Sequence, residues 1–145
     1  MYCNIVWATQ NTVVLNSLFL CQKRAVRIIT FSHWLSHTKP IFKKLCILTV
    51  FYINKLQVAC FMFRARYNLI PQYFNSMFTL NSSVHSYLTR HNNDFHLANF
   101  RSNISKFNVR VQGPFLWNSL PNELTSLSHL GLFQRRYKVH LLQQL

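Results

Sequence analysis

Acidic side chains are nearly missing from this sequence. Asp94 and Glu123 are the only two in 145 residues, against sixteen Lys and Arg, and the formal charge is +14. Enzymes of magnesium-dependent phosphoryl or nucleotidyl transfer hold their metal with clustered carboxylates, so this shortage argues against an independent polymerase or nuclease. The two acids stand 29 positions apart, and no local pairing suggests a glycosidase.

Glycine is as scarce: Gly113 and Gly131 are the only two, which leaves neither a phosphate loop nor a dinucleotide fingerprint. No G-x-S-x-G context surrounds any serine. The four cysteines (Cys3, Cys21, Cys46, Cys60) have no C-x-x-C spacing, which removes the zinc-ribbon and thioredoxin-like readings. Their apolar surroundings predict buried thiols in a reducing, intracellular compartment. His33 and His37 stand at i, i+4, but Trp34 follows the first where a metalloprotease needs Glu, so no metal site is expected. No catalytic residue and no cofactor or small-molecule site is predicted.

Long apolar runs are missing too. The N-terminus lacks the basic and apolar regions of a secretory signal. The stretch 45–63 is the most membrane-like, yet Asn54, Lys55 and Gln57 interrupt its middle, which favours a buried helix over a spanning one.

What is present suits a folded, anion-seeking chain. Half of the residues are hydrophobic and 15% aromatic, enough for one core. A core carrying +14 repels itself unless an anionic partner compensates: nucleic acid first, an anionic membrane surface second. The cations come in groups: Lys23, Arg24 and Arg27; Lys39, Lys43 and Lys44; Lys55, Arg64 and Arg66; Arg135, Arg136 and Lys138. Trp34, Phe42, Tyr67 and Tyr137 lie among them. Lys/Arg contacts to phosphate combined with aromatic stacking hold nucleic acid without reading its sequence; most of these aromatics nevertheless read as core.

Periodicity predicts a mainly α fold. Residues 13–30 form a helix with Leu15, Leu18, Phe19, Val26 and Ile29 on one face and Lys23, Arg24 and Arg27 beside it. Thr38 should cap a short helix with Pro40 in its first turn. Residues 50–69 form a central buried helix with a polar stripe of Asn54, Gln57, Arg64 and Asn68, ended by Ile70-Pro71. Residues 105–111 alternate and read as a strand, paired near 95–100 into one small hairpin within 95–112 and stopped by Gly113-Pro114. An α+β fold is the alternative. Ser128 should cap a last helix with Leu130, Phe133, Tyr137 and Leu141 inward. The division is 1–74, helical, and 75–145, loop, hairpin and final helix, packed as one unit. In 113–121, GPFLWNSLP, nothing can serve as acid, base or nucleophile. Its Phe115, Leu116, Trp117 and Leu120 suit a core, Asn118 a turn or cap, and Pro121 the opening of a turn.

Four stretches carry a resemblance: CQKRAVRIIT (21–30), HTKPIFKKLCIL (37–48), INKLQVACFMF with NLIPQYF (53–74), and TRHNNDFHL with RVQGPFLWNSLPNEL and FQRRYK (89–138). In order and spacing they resemble the C-terminal region of LINE-type, non-LTR retrotransposon reverse transcriptases, across nearly the whole chain. The resemblance implies a helical thumb and the segment after it, without the catalytic aspartates, which belong to the palm. It implies a grip on RNA or an RNA–DNA hybrid and a palm domain as partner. The matching positions are Gln22, Lys23, Arg24, Arg27, Arg90, Gly113, Pro114, Trp117, Asn118 and Pro121. With the grouped cations, the expected nucleic-acid contacts are Lys23, Arg24, Arg27, Lys43, Lys44, Arg64, Arg66, Arg90, Arg135 and Arg136. Family members carry an acid where Lys39 stands, often another near Tyr52, and commonly Gly at Ala8, so this chain resembles a truncated, decaying copy. The alternatives are an inactive structural remnant whose apolar face packed on the palm, and a membrane-surface protein.

Overall fold

The computed structural model describes residues 4–8, 12–84, 87, 90–99 and 107–145. Within them the fold is mainly α: α1 (Asn4–Trp7), α2 (Thr12–Ile29), α3 (Thr38–Lys44), α4 (Val50–Arg66), α5 (Gln72–Asn75), α6 (Asn81–Val84), α7 (Val109–Asn118), α8 (Asn122–Thr125) and α9 (Leu130–Gln143). An isolated antiparallel bridge between Leu80 and Phe95 is the sole strand-like pairing among the described residues. No helix among them is long and apolar enough to cross a membrane.

Helix α4 is the hub, packing against α1, α2, α7 and α9. It buries Val50, Val58, Ala59, Met62, Phe63 and Ala65, which wrap around most of its circumference. Phe63 meets Phe133 at 5.0 Å and Trp117 at 6.2 Å between ring centroids, and Trp117 meets Phe133 at 5.7 Å. Offset and tilted rings at these separations add to simple area burial. Phe133, Tyr137 and Leu141 come from the inner face of α9, as its period requires. A smaller cluster joins Leu15, Val50 and Ala8 with Phe19 and Phe51 against it.

The predicted hairpin is corrected. Val109–Asn118 is helical, because Asn108 caps it: its Oδ1 accepts the Arg110 N–H at 2.9 Å. The alternation of Phe107, Val109 and Val111 is too short to outweigh a cap and the helix that follows. Gly113-Pro114 lies inside that helix and stops no strand. Residues 100–106 of the expected hairpin lie outside the described residues.

Other boundaries also move. Helix α4 ends at Arg66, ahead of Pro71: Asn68 turns to a left-handed φ of 54°, and the Leu69 N–H reaches back to the Arg64 carbonyl at 2.8 Å. The cap position of α3 is His37, with Thr38 the first helical residue, and that of α9 is His129 instead of Ser128; neither histidine side chain makes a cap bond. On α2, Leu15 and Val26 are buried, but Leu18 and Ile29 are exposed, so the buried stripe is narrower than its period suggested. Cys21 and Cys46 are exposed, not buried; Cys60 is half-buried, all three are free thiols, and Cys3 lies outside the described residues.

Candidate nucleic-acid interface

Two side-chain amides act as clamps that place the basic residues. Gln22 on α2 donates through Nε2 to the Leu48 carbonyl at 2.8 Å and accepts the Val50 N–H through Oε1 at 3.0 Å. Asn118, closing α7, does the same to one residue: it accepts the Phe95 N–H at 3.0 Å and donates to the Phe95 carbonyl at 2.8 Å. Each amide imitates the donor–acceptor pair of a neighbouring strand and satisfies two backbone groups at once. Gln22 thereby fixes α2 to the start of α4. Asn118 holds the 90–95 turn against α7, with Phe95 buried beside Trp117.

Gly113 allows α7 to lie close to α4. A Cβ at this position would stand 2.5 Å from Met62 Sδ, inside contact distance. Pro114 and Trp117 are buried on the same side of α7. Pro121 sits at the cap position of α8 with an extended ψ of 144°. The motif residues Gln22, Gly113, Pro114, Trp117, Asn118 and Pro121 are therefore architectural in their contacts.

The cations are distributed over several elements. Lys23 Nζ stands 4.3 Å over the Phe19 ring, and Arg27 Nε donates to the Ser36 carbonyl at 3.1 Å, tying the loop after α2 back to the helix. Arg24 is exposed between them. Lys43 and Lys44 end α3, and Arg64 and Arg66 end α4, where a positive charge also complements the helix dipole. Arg135 and Arg136 are exposed on α9. Among the described residues the one side-chain ion contact of a carboxylate is His91 Nδ1 to Asp94 Oδ2, at 2.7 Å, and no Lys or Arg pairs with an acid. The positive charge is thus unpaired among the described residues.

Of the interleaved aromatics, Phe42 and Tyr137 are core. Tyr67 leans on Phe63 at 4.6 Å and donates its hydroxyl to the Leu127 carbonyl at 2.7 Å. Trp34 is 72% exposed, next to His33.

The structure brings Arg66 and Arg90 to one polar hollow of about 380 Å³, although they are 24 positions apart. It does not bring Arg64, Arg135 or Arg136 there. A larger hollow of about 700 Å³, walled mainly by apolar groups of α2, α4 and α7 and carrying Lys55, went unnoticed in the sequence, because no single segment builds it. Burial pushes the Cys60 thiol up to about 11, against a smaller opposing effect of Arg64, and burial pushes Tyr137 up to about 12. Both groups are neutral near pH 7, and no group of three or more metal-ligating side chains occurs among the described residues.

These features define a helical bundle with a basic, uncompensated surface. No protein family, curated protein or solved structure matches the chain.

Proposed function

We propose that this chain is the thumb and post-thumb region of a LINE-type, non-LTR retrotransposon reverse transcriptase, and that it holds RNA or an RNA–DNA hybrid without reading sequence and without catalysing a reaction. The observation that carries this reading is the set of Lys and Arg side chains on α2, α3, α4 and α9 that meet no carboxylate within the fold. Such cations release counterions from a phosphate backbone on binding. Exposed Trp34 adds a surface on which bases stack. The architectural roles of Gln22, Gly113, Trp117 and Asn118 support the resemblance, since they are motif positions with specific contacts. The test is fluorescence anisotropy of a labelled RNA–DNA hybrid at low salt. Binding is expected, and Lys23→Gln with Arg24→Gln should weaken it equally for unrelated sequences. Absence of binding at low salt overturns the reading.

A second reading, a structural part that docks on a palm domain, is favoured by one observation. Leu18, Cys21, Ala25 and Ile28 recur on α2 at spacings of three, four and three, and all are exposed. That is the spacing of a helix seam facing another apolar surface.

A further inference from the structure

The hollow between the end of α4, the 90–94 turn and α8 is lined by Arg66, Arg90, Asn93, Asp94, Asn122 and Thr125, with Trp117 and Leu120 as apolar wall. Arg66 is half-buried there, and its guanidinium, like that of Arg90, meets no protein acceptor among the described residues. Among the described residues, Asn93 and Asn122 likewise make no side-chain hydrogen bond. Two guanidinium forks and two side-chain amides therefore line one open hollow, with their donors unused among the described residues. Forked Arg donors match the oxygens of a phosphate in pairs. Asp94 is the sole acid in the lining, and its Oδ2 is engaged by His91 at 2.7 Å. With two arginines against that one carboxylate, the lining keeps a net positive charge. Asp94 also supplies the acceptor that a sugar hydroxyl needs. The volume, about 380 Å³, lies at the small end of ligand pockets. The hollow is built by packing, because the Asn118 clamp on Phe95 holds the 90–95 turn against the end of α7.

From this arrangement we infer that the hollow is a phosphate-monoester site, which takes a free sugar phosphate or the 5′-phosphate end of an RNA. Arg66 and Arg90 grip the phosphate, Asn93 and Asn122 add donors, and Asp94 accepts from the sugar. The RNA-end source rests on the nucleic-acid reading above; the phosphate chemistry does not.

The test uses the full chain with three probes: ribose 5-phosphate by calorimetry, and a short RNA with either a 5′-phosphate or a 5′-hydroxyl by anisotropy. Saturable binding of ribose 5-phosphate is expected, with the phosphorylated RNA preferred over its hydroxyl twin. Arg66→Gln with Arg90→Gln should cut ribose 5-phosphate affinity at least tenfold and abolish that preference, whereas Lys23→Gln with Arg24→Gln should lower the affinity for both RNAs alike. Arg90→Gln alone, at an exposed position, is the folding-safe variant and should give a smaller loss in the same direction. Hybrid binding without saturable ribose 5-phosphate binding overturns this site and leaves the broader reading standing. Ribose 5-phosphate binding without hybrid binding does the reverse. An unchanged affinity in both Arg66/Arg90 variants, with native circular dichroism, overturns the site.

Discussion

Asn118 and Gln22 matter more than their size suggests, because each satisfies a backbone donor and a backbone acceptor of a distant segment at once. Asn118→Ala leaves the Phe95 N–H and carbonyl without that partner and should cost about 1–3 kcal/mol in urea unfolding. Asn118→Asp should recover little, since it keeps the acceptor but sets a carboxylate against the Phe95 carbonyl. Gly113→Ala drives a methyl into Met62, which is fully buried, and should cost about 1–3 kcal/mol. In a Met62→Ala background the same change should cost less, and a double-mutant cycle reads the difference. Gly113 and Asn118 stood out in the motif GPFLWNSLP; their mechanism did not. A sequence does not reveal that Asn118 reaches Phe95, 23 positions earlier, or that a glycine inside a helix marks a crossing.

Cys60 and Tyr137 give the residue scale a pH signature. The Cys60 thiol rises from 9.0 to about 11 in the fold. Above pH 9 the unfolded chain loses this proton while the folded chain keeps it, so stability falls as the pH rises from 9 through 11. Below pH 9 both states hold the proton and the group contributes no slope. Urea midpoints at pH 8 and pH 10 should fall less in Cys60→Ala than in the parent. The exposed Cys21 and Cys46 should react with maleimide well before Cys60 at neutral pH.

At the scale of elements, three helix ends share one device. Phe31, Cys46 and Asn68 take φ values of 50°, 51° and 54°, and the residue after each sends its N–H back five positions to a helix carbonyl. A chain with two glycines, both elsewhere, closes α2, α3 and α4 in the left-handed region with side-chain-bearing residues. Phe31 is 98% exposed, so its ring contributes almost no packing. Phe31→Gly should therefore raise stability by about 1 kcal/mol, read by urea unfolding. The helices α2, α3, α4 and α9 were legible, α2 and α9 because Leu15 and Val26, or Phe133, Tyr137 and Leu141, recur at the helical period. The ends were harder. Asn108 and Asn68 decide where α7 begins and α4 stops through local hydrogen bonds, which alternation of apolar residues and the position of a proline do not report. The hairpin failed for that reason: three alternating residues, Phe107, Val109 and Val111, match a strand and the first turn of a capped helix equally well.

At the scale of the whole molecule, charge and packing are separate assets. The core rests on rings and aliphatic side chains gathered around α4, whereas the positive charge lies on exposed arcs and helix ends without acidic partners. The charge was legible from composition alone. The convergence of Arg66 and Arg90 was not, because it depends on the Asn118 clamp and the path of the 90–95 turn. The exposed positions Leu18 and Ile28 on α2 belong to this scale as well. Leu18→Gln with Ile28→Gln should shift the urea midpoint little, about 0.5 kcal/mol or less for each exposed site, while reducing self-association in light scattering.

In the function proposed above, cations without acidic partners hold nucleic acid through its phosphates. Its most direct test is the affinity for two RNA–DNA hybrids of unrelated sequence, measured by anisotropy across a salt series. Equal affinities for the two hybrids are expected, with a logarithmic affinity that falls linearly with the logarithm of salt at a slope corresponding to several phosphate contacts. A flat salt dependence, or no binding at the lowest salt, would contradict it.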